Sequence, residues 1–146
     1  DVTPIAVPHD AREPCQFVFS AGSAKIGVLT DLGSITPLVL QHYAGCQALL
    51  LECNHDPQML AQGSYPPALK RRVGGDWGHL SNEQAAQLLR GLGEECPAQV
   101  AIAHISEKNN SREAVLAAFE PEFSQVAPEF VWASQDAGFP WLEVAP

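Results

Sequence analysis

The sequence alternates short apolar runs with segments of helical pattern, and this alternation restricts the possible fold more than any other feature. Residues 25–30, 47–51 and 99–103 are apolar stretches of a length typical of strands buried inside a sheet. The segments between them carry the capping and breaking signals of helices. This order of strands and helices predicts an α/β chain in which helices pack on a sheet.

Turn and capping signals predict the remaining elements. A turn at Ala21-Gly22-Ser23 predicts a hairpin between strands at 16–20 and 25–30. Ser81, followed three residues later by Gln84, has the pattern of a capping box and begins an amphipathic helix that reaches Leu92. Further helices are predicted at 35–43 (with Ser34 as a candidate N-cap), 57–61, 67–73 and 111–119, and further strands at 130–133 and 141–144.

Charge and composition limit the classes of function. Acidic residues outnumber basic residues 17 to 8, for a net charge of −9, so a broad basic surface for nucleic acid is not expected. The basic cluster Lys70-Arg71-Arg72 fits a solvated helix face. The apolar runs are too short to cross a bilayer, so no membrane partner is expected. Four cysteines without a Cys-x-x-Cys spacing favour reduced, buried thiols and a cytoplasmic location.

Polar residues follow directly on the apolar runs. Asp31, Glu52 and His104 each stand at the end of a predicted strand, and ligand sites in layered α/β proteins gather outside the carboxyl ends of strands. Imidazole and carboxylate bind Zn²⁺ or Mn²⁺, and such an ion activates a bound water as a nucleophile. Taken singly, an aspartate here also fits a helix cap and a loop histidine fits plain hydrogen bonding. His42, inside a predicted helix, is expected to be structural.

Five motifs occur in a fixed order and carry a family resemblance. They are PHDA at 8–11, VLTDLG at 28–33, LECNHD at 51–56, GHLSN at 78–82 and AHISEKNN at 103–110. From His9 to about Phe119, the chain resembles the metallo-β-lactamase superfamily, and within it the YycJ-like or WalJ-like metal-dependent hydrolases. The resemblance implies the C-terminal part of a four-layer αββα sandwich, a mixed sheet flanked by helices.

The resemblance also implies roles for individual residues. His9, Asp31 and His104 match metal ligands, and Asp31 matches the aspartate that bridges two ions. Glu52 and His79 resemble the hydrogen-bonded pair of ribonuclease Z-type relatives, in which the histidine protonates the leaving group.

One histidine that is typical of the YycJ-like branch has no assigned role. His55, between Asn54 and Asp56, is typical of the YycJ-like branch and marks a candidate additional site.

The chain departs from the family at its hallmark motif. It contains no His-x-His-x-Asp-His, and its histidines stand apart at 9, 42, 55, 79 and 104. We therefore expect residues 1–146, which open at Asp1 without an initiator Met, to be a single domain or half-domain from the C-terminal portion of such a protein. The two divalent ions of the complete protein, Zn or Mn, would be incompletely held or absent here. An exposed sheet face would call for the N-terminal half or a second copy of the chain.

These expectations lead to three hypotheses for function. The first is part of a binuclear metal-dependent hydrolase, a phosphodiesterase or nuclease in the complete protein, with this chain alone inactive. In that reading Asp31 bridges the ions, and Glu52 orients His79 as the general acid. The second is a thioester or lactone hydrolase of the same fold, acting on a small-molecule substrate. The third is a non-catalytic fragment that self-associates.

Overall fold

The computed structural model describes residues 1–123 and 128–144. A single sheet of six strands runs in chain order, and the bounds are Val2–Ala6 (β1), Cys15–Ala21 (β2), Ala24–Leu29 (β3), Ala48–Glu52 (β4), Gln99–Ala103 (β5) and Glu129–Trp132 (β6). The first three strands pair antiparallel, and β3 to β6 pair parallel. The predicted mixed sheet is thereby confirmed.

Five α-helices connect the strands. They are Pro37–Tyr43 (α1), Pro57–Gln62 (α2), Pro67–Val73 (α3), Asn82–Leu92 (α4) and Arg112–Phe119 (α5). The capping box predicted at the start of α4 is present, because Ser81 and Gln84 exchange side-chain to backbone hydrogen bonds. Among the described residues, no helix has both the length and the apolar character needed to span a membrane.

The apolar core lies between one face of the sheet and the helices. Leu29, Leu49, Leu51, Val100 and Ile102 alternate with outward residues along β3 to β5 and are almost fully buried. The buried residues of α4 pack onto the same cluster, together with parts of α1 and α5. Burial of this face fixes the register of the three parallel strands and hence the positions of their carboxyl ends.

The second face of the sheet is only partly covered. Phe19 and Ile26 are opposite each other in the β2–β3 register and are 42% and 38% exposed. Residues 139–144 lie across part of this face beside Leu50 and enclose an apolar cavity of about 340 Å³. The structure therefore leaves apolar sheet surface accessible, as the sequence-based expectation of a partner requires.

Two sequence predictions are wrong at the level of single elements, and one strand was not predicted. Residues 141–144 form no strand, because they lie irregularly against the second sheet face. The strand β1 was not predicted, since only Ile5 of its five residues is buried and an edge strand carries little apolar pattern. Helix α1 begins at Pro37 with Thr36 as its N-cap, whereas the hydroxyl of Ser34 donates to the carbonyl of Asp76.

Candidate metal centre

The parallel register brings three of the predicted site residues to one edge of the sheet. Leu29 pairs with Leu51, and Glu52 pairs with Ala103. Asp31 lies two residues beyond the end of β3 and His104 one residue beyond the end of β5, on either side of Glu52. The carboxyl ends of adjacent parallel strands thus form the site, as expected for a layered α/β sheet.

Glu52 is the hydrogen-bonding hub of this edge, and its side chain is fully buried. Its Oε1 accepts the Leu80 backbone N–H at 2.7 Å, and its Oε2 accepts the Asp31 N–H at 2.6 Å. Nδ1 of His104 at 2.7 Å and Nδ1 of His79 at 3.2 Å also donate to Oε2. Burial alone would raise the Glu52 pKa, but the hydrogen bonds from the two histidines outweigh it and leave the pKa lowered. Glu52 is therefore a carboxylate whose oxygens are already engaged.

His9 and His104 are oriented in the same way around Asp31. Nδ1 of His9 donates to the carbonyl of Gly78 at 2.8 Å, which leaves Nε2 facing Oδ1 of Asp31 at 3.7 Å. Nδ1 of His104 donates to Glu52, and Nε2 of His104 lies 3.9 Å from the same Oδ1 of Asp31. A histidine whose one nitrogen is held by an oxygen presents the other as a metal ligand. Two such nitrogens and a carboxylate around one space fit a divalent metal ion.

His79 lies between these two rings. Its ring centroid is 5.1 Å from those of both His9 and His104. Its Nδ1 is 3.9 Å from Oδ1 of Asp31 in addition to its hydrogen bond to Glu52. Among the described residues, Asp31, Glu52, His79 and His104 each offer a ligand-type atom within 4.8 Å of the others. The structure thus brings all five predicted centre residues together.

The backbone is strained at two of these residues. Asp31 and His104 both have φ of +53°, and they are the non-glycine residues with positive φ in the part of the chain that the structure describes. An L-residue in this left-handed region costs about 1–2 kcal/mol. Strain of this kind persists where surrounding contacts enforce it and is typical of functional sites. Here the enforcing contacts are the Asp31 N–H and the His104 ring, both bound to Glu52.

Two glycines set the positions of the loops that carry His9 and His79. The Gly33 N–H donates to the Pro8 carbonyl at 2.8 Å, and a Cβ on Gly33 would overlap the backbone of Gly78. A Cβ on Gly78 would in turn overlap the carbonyls of Arg72 and Val73. The sequence analysis missed both glycines, although each stands within two residues of a predicted ligand or acid.

The predicted additional site does not join the centre. The Asn54 side chain donates to the carbonyl of His104 at 3.0 Å and so supports its backbone. Asp56 caps α2 by accepting the Met59 N–H at 2.8 Å. His55 is buried, and its Nδ1 has no hydrogen-bond partner among the described residues. His42 lies in the last turn of α1, away from the centre.

Comparison with known proteins places this geometry in a family. The model of the Beta-lactamase superfamily domain matches residues 1–105. Exodeoxyribonuclease YycJ of Bacillus anthracis is 34% identical over 113 residues, which are 77% of this chain and 43% of that protein. Exodeoxyribonuclease WalJ of Streptococcus pneumoniae is 34% identical over 114 residues, 77% of this chain and 42% of that protein. The chain thus spans less than half the length of these relatives.

Solved structures agree on the fold. The metallo-β-lactamase fold protein YhfI from Bacillus subtilis superposes with a TM-score of 0.67 at 17% identity, over 96% of this chain and 48% of that one. Zn(2+)-bound PqqB from Methylobacterium extorquens superposes with a TM-score of 0.55 at 18% identity, over 90% and 43%. The family match over residues 1–105 shows that the chain belongs to the metallo-β-lactamase superfamily, and its identity to YycJ and WalJ shows the YycJ-like branch.

Proposed function

We propose that this chain supplies part of a binuclear metal centre that hydrolyses phosphodiester bonds, with a nucleic acid as the substrate of the complete protein. The observation that carries the proposal is the position of His79. Its Nδ1 donates to the buried Glu52 carboxylate, beside Asp31, so its Nε2 is free to hold a proton. An alkoxide leaving group needs such a proton, and a phosphodiester in nucleic acid has an alkoxide leaving group.

In this proposal His9, Asp31 and His104 hold the ions, and Asp31 is shared between them. When bound, a pair of Zn or Mn ions would lower the pKa of a water and neutralise the charge on the phosphate. Glu52 fixes the ring orientation of both His79 and His104. The similarity to exodeoxyribonucleases supports phosphate ester chemistry.

The three ligands fall short of two complete ligand sets. A zinc ion takes four ligands, of which a catalytic site draws three from protein. We propose that a segment carrying His-x-His-x-Asp-His completes the centre and that the 146-residue chain alone is inactive. The exposed sheet face at Phe19 and Ile26 is where the N-terminal half of the domain, or a second copy, would pack. Reduced cysteines are consistent with a cytoplasmic protein, and all four are free thiols in the structure.

The test compares the chain alone with a fusion in which a His-x-His-x-Asp-His segment precedes it. Bound Zn and Mn are measured by mass spectrometry after dialysis, and hydrolysis is measured on a phosphodiester, a thioester and a lactone. We expect weak metal uptake and no turnover by the chain alone, and phosphodiester cleavage by the fusion. Two tightly bound ions on the chain alone would contradict the incomplete ligand set. Turnover of only the thioester or lactone would reassign the substrate, and a stable inactive oligomer would favour the self-associating fragment.

A further inference from the structure

An open cavity of about 660 Å³ lies between α2, α3 and the start of α4, apart from the metal ligands. Its lining combines two cations of α3 with polar groups of the chain that leads into α4; the polar lining residues are His55, Lys70, Arg71, Ser81, Glu83 and Gln84. None of these residues is a proposed metal ligand or the proposed acid. The proposed phosphodiester hydrolysis therefore gives this cavity no role.

His55 is the residue of the cavity wall that has no structural explanation. Its neighbours are engaged, because Asn54 supports His104 and Asp56 caps α2. His55 itself is 3% exposed, and its Nδ1 has no partner among the described residues. Burial lowers its pKa, so the ring is neutral and able to donate from one nitrogen. A buried polar group left unpaired in this way indicates a missing partner.

The two cations are available to an anion. Lys70 donates one hydrogen bond to the Ala61 carbonyl at 2.6 Å and has two further donors. Arg71 makes no hydrogen bond or ion pair among the described residues, whereas Arg72 pairs with Asp10 beside His9. The basic run of α3 therefore extends from the metal centre to the cavity. Glu83 is the acidic residue in the lining, so the two cations leave a net positive charge.

The cavity lies a short, fixed distance from the metal centre. Two extended segments run from the centre to the cavity side by side, since Asn54 N–H donates to the Leu80 carbonyl and Asn82 N–H to the His55 carbonyl. His55 is three residues beyond Glu52, and Ser81 is two beyond His79. At about 3.3 Å per extended residue, the Cα atom of His55 lies at most about 10 Å from that of Glu52. A nucleic-acid strand places neighbouring phosphates within that span.

We infer that this cavity is a second phosphate site, which binds a phosphate of the nucleic-acid strand next to the one that is cleaved. Arg71 and Lys70 supply the charge and His55 a buried donor. The inference rests on the proposed function, because it assumes that a polynucleotide occupies the centre. A chain with a net charge of −9 has no broad basic surface for nucleic acid. In this inference Lys70 and Arg71 contact the phosphate at one position instead.

The test uses the 146-residue chain with single-stranded oligonucleotides and, separately, inorganic phosphate. Binding is measured by fluorescence anisotropy at several salt concentrations, and the His55 ring by NMR. We expect Arg71→Gln and Lys70→Gln each to weaken oligonucleotide binding about tenfold and to lower the salt slope by about 1. Arg12→Gln, which removes an exposed charge outside the cavity, is the matched control. The His55 ring resonances should shift with oligonucleotide.

The outcomes separate this inference from the proposed function. Equal binding by Arg71→Gln, Lys70→Gln and Arg12→Gln, with an unshifted His55 ring, would overturn the second phosphate site. Inorganic phosphate that binds as tightly as the oligonucleotide would overturn the assignment to a strand and favour a free phosphate. Zinc uptake, measured for the same variants and for Asp31→Asn in the His-x-His-x-Asp-His fusion, reports on the metal centre alone. If the two sites are distinct, zinc uptake should be lost in Asp31→Asn and retained in Arg71→Gln.

Discussion

Nδ1 of His104 lies 2.7 Å from Oε2 of Glu52, and this contact joins a proposed metal ligand to a fully buried carboxylate. The hydrogen bond to Glu52 raises the pKa of His104. The same contact, with that from His79, lowers the Glu52 pKa against the opposing effect of burial. In the metal-free chain the two groups therefore form a charged pair over a defined range of pH.

The first prediction concerns the stability of the metal-free chain against pH. The lowered Glu52 pKa contributes stability that is present above the ordinary carboxyl value of 4.5 and is lost as the pH falls. The raised His104 pKa contributes stability that is present below the ordinary imidazole value of 6.5 and is lost as the pH rises. Urea denaturation in EDTA should show both contributions fully present between these two values.

The Glu52→Gln variant tests the origin of that dependence. It should lower the free energy of unfolding by about 3 kcal/mol in this range, because it breaks a buried charged pair. It should also flatten the pH profile on both sides. Glu94→Gln, which changes an exposed carboxylate, is the control and should leave the profile as it is. An unchanged optimum in Glu52→Gln would show that other groups set the pH dependence.

The second prediction concerns the glycines beneath the two loops. Gly33→Ala and Gly78→Ala should each displace the loops that carry His9 and His79, since the added Cβ has no space. We expect each variant to lose about 2 kcal/mol of stability, measured by denaturation. In the His-x-His-x-Asp-His fusion each should also lose zinc binding, measured by titration. Gly91→Ala, inside α4 beside the flexible end of Leu40, should be neutral or stabilising by up to about 1 kcal/mol. Normal zinc binding by both loop variants would contradict the steric argument.

The sequence predicted which residues form the centre better than it predicted the hydrogen bonds between them. Asp31, Glu52 and His104 could be placed together because strand ends converge in a parallel sheet. The bond from Glu52 to His104 depends on the β4–β5 register, in which Glu52 lies opposite Ala103, and no local pattern encodes that register. Similarly, the hydrogen bond from His9 to the Gly78 carbonyl joins residues 69 apart. Contacts of this kind follow from packing and not from spacing along the chain.

The secondary structure was predicted wrongly where the local sequence pattern and the tertiary environment disagree. Residues 141–144 are mostly apolar, as in a strand, but they lie irregularly on the second sheet face. Strand β1 has the opposite property, because pairing with β2 forms it despite a weak pattern and a proline at position 4. Tertiary context decides such edge segments.

The third prediction concerns the role of His79 once the centre is complete. In the His-x-His-x-Asp-His fusion, His79→Gln should retain metal, because His79 is not among the proposed ligands. It should slow cleavage of an oligonucleotide by about 10²- to 10⁴-fold, since an alkoxide leaves unprotonated. Cleavage of a p-nitrophenyl phosphodiester should fall far less, because p-nitrophenolate leaves without a proton. Equal losses on both substrates, or loss of metal, would remove the general-acid role from His79.

The fourth prediction concerns the strain at Asp31. The residue has φ of +53°. Asp31→Gly removes this cost, because glycine adopts the conformation freely. We expect the variant to gain about 1 kcal/mol in the free energy of unfolding in EDTA and to lose zinc binding in the His-x-His-x-Asp-His fusion. Asp31→Asn, which keeps a side chain that tolerates positive φ, isolates the loss of charge. If Asp31→Gly is less stable than the parent, the Asp31 side chain stabilises the fold and its conformation is not a strain retained for binding metal.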